Sequence, residues 1–210
     1  NDPLRPPFVF IGKGLDSDNL YVASPRVLLG QETYRKRVPL LATRKLDTFN
    51  YARSGTFKDI LPDSQFNYFD VLYKYAFEFN GYNYFLAVQR ESVTSKMQVT
   101  KIIRVCQLDE NMRSYMELTL ACSSGSTDYN ILTSATLVKP GKKLIESIAL
   151  KVGDDVLFAA FTKEGASQKS MVCGFPMPII DRMFKQALQS CFNGASSMAR
   201  IGPRHLSLPG

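Results

Sequence analysis

The stretch Tyr73–Gln89, YKYAFEFNGYNYFLAVQ, constrains what this chain can fold into more than any other. Aromatic residues crowd both sides of an Asn-Gly pair. Asn80-Gly81 suits a two-residue type I′ turn, whose central residues both need positive φ. A turn of that length fixes strand register. Phe79 then faces Tyr82, Phe77 faces Tyr84, Tyr75 faces Leu86 and Tyr73 faces Val88, all on one side, because alternate residues share a face. The other side pairs Glu78 with Asn83, Ala76 with Phe85 and Lys74 with Ala87. One face is therefore expected to be wholly apolar and the other mixed. A lone hairpin is marginal in water, so this one requires further sheets to pack on.

Strand signals recur along the chain. FVFI (8–11) and LYVAS (20–24) flank the turn-rich GKGLDSDN, and VPLLATR (38–44) follows. After the hairpin come MQVTKIIRVCQL (97–108), SYMELTLAC (114–122), NILTSATLV (130–138), DVLFAAF (155–161) and MVCGF (171–175). In the first of these, Val99, Ile102 and Val105 are apolar, with Lys101 and Arg104 between. The gaps are short and carry Gly, Asp, Asn or Pro, which argues for an all-β fold of antiparallel sheets. One helix is expected near residues 178–191. Ile179, Ile180, Met183, Phe184, Ala187, Leu188 and Cys191 fall at helical spacing there, with Arg182, Lys185 and Gln189 outside. Asn193-Gly194 ends it. A short helical connector is expected to follow Gly141, through Leu144 to Ala149. Residues 195–210 have no periodic pattern and read as a loose tail. The strand rhythm alone permits a sandwich, a barrel or a propeller, and no internal repeat selects among them.

The chain has 210 residues, 45% of them hydrophobic, enough for one sizeable core. No apolar run is long enough for a membrane-spanning helix. Prolines stand where the apolar core of a signal peptide would be in NDPLRPPFVFIG. The missing initiator Met reads as a processed or excised piece. Net charge is +7, but the basic residues at Arg35-Lys36-Arg37, Arg44-Lys45, Lys139 and Lys142-Lys143 have acidic residues between them. A nucleic-acid binder shows a denser stripe and a fold motif, so no nucleic-acid partner is expected.

Chemistry is scarce. The four cysteines, Cys106, Cys122, Cys173 and Cys191, form no CxxC, and the one histidine, His205, lies in the tail. Neither a compact zinc site nor a nucleophile–histidine pair is expected. Intervening lengths of 15, 50 and 17 residues between the cysteines fit long-range disulfides outside the cell, and fit buried free thiols as well. Gly12-Lys13-Gly14 is followed by neither the Ser/Thr nor the helix of a phosphate-binding loop. Asp154-Asp155 would point to opposite sides of a strand and reads as a solvated turn. No cofactor and no metal are expected.

Three passages together resemble the sema domain of plexins: the hairpin with its continuation YFLAVQRE, the segment KIIRVCQLDENMRSYMELTLAC, and VLFAAF followed by SMVCGFPMPIIDRMFKQALQSCFNG. Their order and spacing, rather than any single piece, make the match specific. It covers residues 71–194 best, within a partial sema domain expected over 1–194. The same pattern occurs in the hepatocyte growth factor and macrophage-stimulating protein receptor kinases, whose sema domains are an alternative reading. Semaphorins match less well around SYMELTLAC. An unrelated all-β enzyme is the distant alternative.

The resemblance implies the middle blades of a seven-bladed β-propeller, in a non-enzymatic receptor on the extracellular side of the plasma membrane. It implies a semaphorin as protein partner, signalling in axon and cell guidance, membrane attachment through parts outside this chain, and homo-oligomers in the full receptor. It also implies pairing of Cys122 with Cys173, while Cys106 and Cys191 would pair with cysteines beyond this chain. Ligand-contact candidates are Asn80 and Gly81 at the hairpin tip, and Asp109, Glu110, Asn111 and Arg113 in the LDENMRS turn. The hairpin aromatics then read as blade core or interblade contact, and blade faces lacking neighbours should make the chain aggregate.

Overall fold

A computed structural model of the chain describes residues 7–23, 41–50, 57–58, 71–92, 95–147, 150–165 and 170–193. The Arg35-Lys36-Arg37 cluster, residues 38–40 of VPLLATR, Gly194 and the tail with His205 lie outside the described residues. The described residues form three antiparallel sheets of three or four strands and one two-stranded sheet. The first runs in order through β1 (Phe8–Lys13), β2 (Asp18–Ala23), β3 (Leu41–Lys45) and β4 (Phe57–Lys58). The second runs through β5 (Val71–Phe79), β6 (Tyr82–Arg90), β7 (Gln98–Cys106) and β8 (Met116–Leu120). A small hairpin of β9 (Cys122–Ser124) and β10 (Thr127–Tyr129) leads to the third sheet, β11 (Ile131–Val138), β12 (Val156–Thr162) and β13 (Ser170–Pro176). Two helices complete the described chain: α1 (Lys142–Ser147) and α2 (Met177–Phe192). The inner strand β5 abuts both β1 and β11, so the sheets stand side by side like the blades of a propeller.

The Asn-Gly turn forms as its residues require, with φ of 47° at Asn80 and 79° at Gly81. The hairpin register holds from Phe79↔Tyr82 through Tyr75↔Leu86 and then slips. Between Tyr73 and Tyr75 an extra residue is accommodated, and Tyr73 pairs with Ala87 instead of Val88. A bulge of this kind turns the side chains beyond it to the opposite face. Tyr73 therefore leaves the Tyr75 face and packs edge-on against Phe85.

The apolar face and the mixed face of this sheet are both covered, as blade packing requires. One side, with Phe77, Tyr84, Leu86, Ile102 and Leu118, packs against Leu132, Leu157 and Phe161 of the third blade. The other side, with Tyr73, Phe85, Ala87, Ile103 and Val105, packs against Tyr21, Ala23 and Leu41 of the first. Lys101 and Arg104 are buried along with their apolar neighbours. The Lys101 ammonium donates to Thr119 Oγ1 at 2.6 Å. Desolvation draws its pKa below the ordinary lysine value, against the pull of Glu117 and Glu91.

Helix α2 carries Pro178 in its first turn, where a missing N–H costs nothing. Its buried stripe is Met177, Ile180, Phe184 and Ala187. Ile179 and Leu188, expected on that stripe, point outward. The connector α1 follows Gly141 as expected, and 148–149 lie outside the described residues. No described helix is long and apolar enough to cross a membrane.

Candidate functional site

Four loops gather at one end of the first two blades. They are the β1–β2 turn, the turn after β3, the Asn80-Gly81 tip and the 107–115 turn between β7 and β8. The tip and the last turn are joined, because the Gln107 amide donates to the Gly81 carbonyl at 3.0 Å. Between the loops lies an open cleft of about 480 Å³. Asp16, Asp18, Asp47, Asp109 and Glu110 line it, with Lys45 as the lysine among them. Most of the charged lining is acidic, and Asp18 is paired with Lys13 at 2.8 Å.

A polar column holds the floor of the cleft. Asn83 is fully buried, and its amide donates to the Lys13 carbonyl at 2.7 Å and to the Tyr21 hydroxyl at 2.8 Å. Gln107 donates to Asn83 Oδ1 at 3.4 Å. The Lys13 amide donates to Glu78 Oε1 at 2.8 Å. Burial pushes the Tyr21 phenol up to about 12, although its hydrogen bond with Asn83 pulls the other way. Gly12 lets this column form: a Cβ there would stand 2.8 Å from Asn83 Oδ1. The glycines of Gly12-Lys13-Gly14 thus belong to a tight hairpin, and Gly12 serves close blade approach.

The sequence candidates divide by role. Asp109 turns its carboxylate inward, accepting from the amides of Asn111 at 3.1 Å and of Ser114. The Ser114 hydroxyl accepts in turn from the Cys106 amide at 2.9 Å. Asp109 therefore builds the turn. Glu110 lines the cleft and is half-buried, whereas Asn111 and Arg113 are exposed and outside its lining. Asn80 and Gly81 are exposed at the joined tip. Tyr21, Lys45 and Asp47 carry no local motif and enter the site only because the first blade packs beside the second.

The junction of the second and third blades is fastened differently. The Arg104 guanidinium lies 4.4 Å from the Tyr82 ring centre and 4.3 Å from that of Phe184. It donates to Asp181 Oδ1 of α2 at 2.9 Å. A disulfide joins Cys122 to Cys173. Cys106 and Cys191 are free and half-buried. Among the described residues no three His, Cys, Asp or Glu side chains converge on a metal position.

No protein-family model matches the chain. Solved structures do. The extracellular region of plexin A4, in a structure of its domains 1 to 8, is 28% identical with a TM-score of 0.70, over 97% of this chain and 25% of that one. The chain has a plexin/sema-type fold. A second plexin A4 structure, of domains 1 to 10, gives the same identity and TM-score, over 97% of this chain and 20% of that one. This sema-type chain thus spans a quarter or less of the plexin chains it matches. Drosophila semaphorin 1a, extracellular domains 1-2, shares the sema fold at 18% identity and a TM-score of 0.53, over 88% of this chain and 34% of that one. These solved structures are extracellular regions, and the sheets described above are blades of a sema-type β-propeller.

Proposed function

We propose that the chain is a ligand-recognition segment of a plexin-type receptor ectodomain, binding a semaphorin at the cell surface in guidance signalling. The observation that carries this is the 28% identity to the plexin A4 ectodomain over 97% of the chain, against 18% for semaphorin 1a. The receptor reading is favoured over the ligand reading for that reason. Domain limits of 1–194, membrane attachment through parts outside this chain, and partners for Cys106 and Cys191 among cysteines outside it belong to the same proposal. Recognition of this kind needs no cofactor and no acid–base pair.

The rim of the acidic cleft is assigned as a contact surface, with the Asn80-Gly81 tip beside it. Rim charges act mainly on association rate and salt dependence. The test is surface plasmon resonance of the complete ectodomain against a panel of semaphorin ectodomains. Asp47→Arg with Glu110→Arg should slow association about tenfold and reverse the salt dependence. Asp109 is kept intact because it holds the turn. Unchanged kinetics in the variant would move the contact elsewhere. Absence of binding to every semaphorin by the unaltered ectodomain would sink the reading itself.

A further inference from the structure

The Asn80-Gly81 pair carries chemistry of its own. In an Asn-Gly sequence the glycine nitrogen can attack the asparagine side-chain carbonyl, because glycine has no Cβ to crowd the approach. Asn80 and Gly81 are both exposed, and no atom stands within 4 Å of where a Gly81 Cβ would lie. The Gly81 carbonyl accepts from the Gln107 amide at 3.0 Å, but no described backbone hydrogen bond engages the Gly81 nitrogen or the Asn80 carbonyl. The peptide between the two residues can therefore rotate as a unit.

That rotation is what ring closure needs. With Asn80 at a φ of 47°, flipping this peptide exchanges a type I′ turn for a type II′ turn. The exchange keeps positive φ at the first central residue and moves the second to negative φ. Glycine accepts both. The flip swings the Gly81 nitrogen toward the Asn80 side chain. Phe79, Tyr82 and Tyr84, packed into the core beneath, hold the strands in register meanwhile.

We propose that Asn80 is a site of spontaneous deamidation and isomerisation, which releases the hairpin tip from the 107–115 turn. The Gly81 nitrogen bonds to Asn80 Cγ, the bond from Cγ to the side-chain amide nitrogen breaks, and ammonia leaves with the Gly81 amide proton. Water then opens the resulting succinimide. Addition at Cγ restores the peptide and leaves aspartate. Addition at the main-chain carbonyl leaves isoaspartate, in which the chain runs through Cβ and Cγ. Isoaspartate adds one carbon to the main chain of a two-residue turn, whose length sets its geometry. With the strands fixed, the added carbon is taken up at the tip, and the Gly81 carbonyl moves away from the Gln107 amide.

The test is incubation of the folded 210-residue chain at mildly alkaline pH, for as long as a synthetic peptide of residues 78–83 takes to convert, followed by peptide mapping and amide exchange. Isoaspartate is told from aspartate by its resistance to endoproteinase Asp-N. The native Asn80 peptide should give way to aspartate and isoaspartate forms, and the Gln107 amide should lose protection in step with the isoaspartate fraction. Asn80→Gly accepts positive φ without a side-chain amide, and should keep Gln107 protected throughout. Asn80→Asp supplies the charge without the added carbon, and should show wild-type protection before incubation. Asn80 still intact when the peptide has converted overturns the proposal. So does isoaspartate with Gln107 protection unchanged, or protection lost equally in Asn80→Gly, or lost at the outset in Asn80→Asp.

Discussion

The two blade junctions use the same central sheet and hold it by opposite means. Between the second and third blades the contact is apolar and tied down: a disulfide, the α2 stripe, and Arg104 held between two rings with Asp181 as its ion partner. Between the first and second, aromatic packing shares the space with buried polar groups. Asn83 bridges to Lys13 and Tyr21 at one end. At the other, Glu117 accepts from Gln89 and from Tyr115, each at 3.0 Å. Buried polar networks are costly when one member is lost and contribute little net stability when complete, but they fix a unique arrangement. The comparison teaches that strength and placement are separated here. The cleft sits over the junction whose register is set by hydrogen bonds.

Removing the tie should cost most. Cys122→Ser with Cys173→Ser opens a loop with a sequence separation of 51, and chain-entropy reasoning gives a loss of roughly 4 kcal/mol. Urea unfolding of the variant against the wild type measures it. A loss below about 1 kcal/mol would mean that packing alone fastens the third blade. Next, Phe184→Ala empties a buried site and withdraws one ring from Arg104. The expected destabilisation is about 3–5 kcal/mol, with faster amide exchange confined to α2 and the third blade.

The polar junction should yield to smaller changes and on the other side of the molecule. Asn83→Ala leaves the Lys13 carbonyl and Tyr21 hydroxyl short of a partner, at a cost of about 1–3 kcal/mol. Amide exchange should rise in β1 and β2 while α2 stays protected. Equal loosening of both junctions would erase the distinction. The smallest effect is alkaline. Tyr21 is held to about 12 in the fold against 10.0 in the unfolded chain, so its contribution is complete below pH 10 and is lost as pH rises from 10 toward 12. Absorbance at the phenolate band should show a late-titrating tyrosine that Tyr21→Phe removes.

Much of this architecture was legible in the sequence because its signals are local. Asn80-Gly81 specifies its own turn, strand alternation locates the main strands of each blade but neither β4 nor the β9–β10 hairpin, and the helical spacing after Pro178 places α2. What escaped depends on neighbours distant in sequence. Nothing local to Lys101 and Arg104 shows that both are buried; that follows from the cover on both sheet faces. The slip at Tyr73 has no residue signal, since Lys74 is an ordinary strand residue. The cleft was half visible: Asp109 and Glu110 stand in an evident turn, but whether a turn carboxylate faces a partner or its own backbone is set by three-dimensional closure. Lys45 and Asp47 join them only through packing of the first blade, a contact between segments roughly sixty residues apart in the sequence.

The sema-type assignment rests on blades joined in a particular way, and peptide mapping of the unreduced, alkylated protein tests that most directly. In the 210-residue chain the account predicts a peptide linking Cys122 to Cys173, with Cys106 and Cys191, whose proposed partners lie outside it, carrying the alkyl label. Four labelled cysteines, or a link between any other pair, would contradict it.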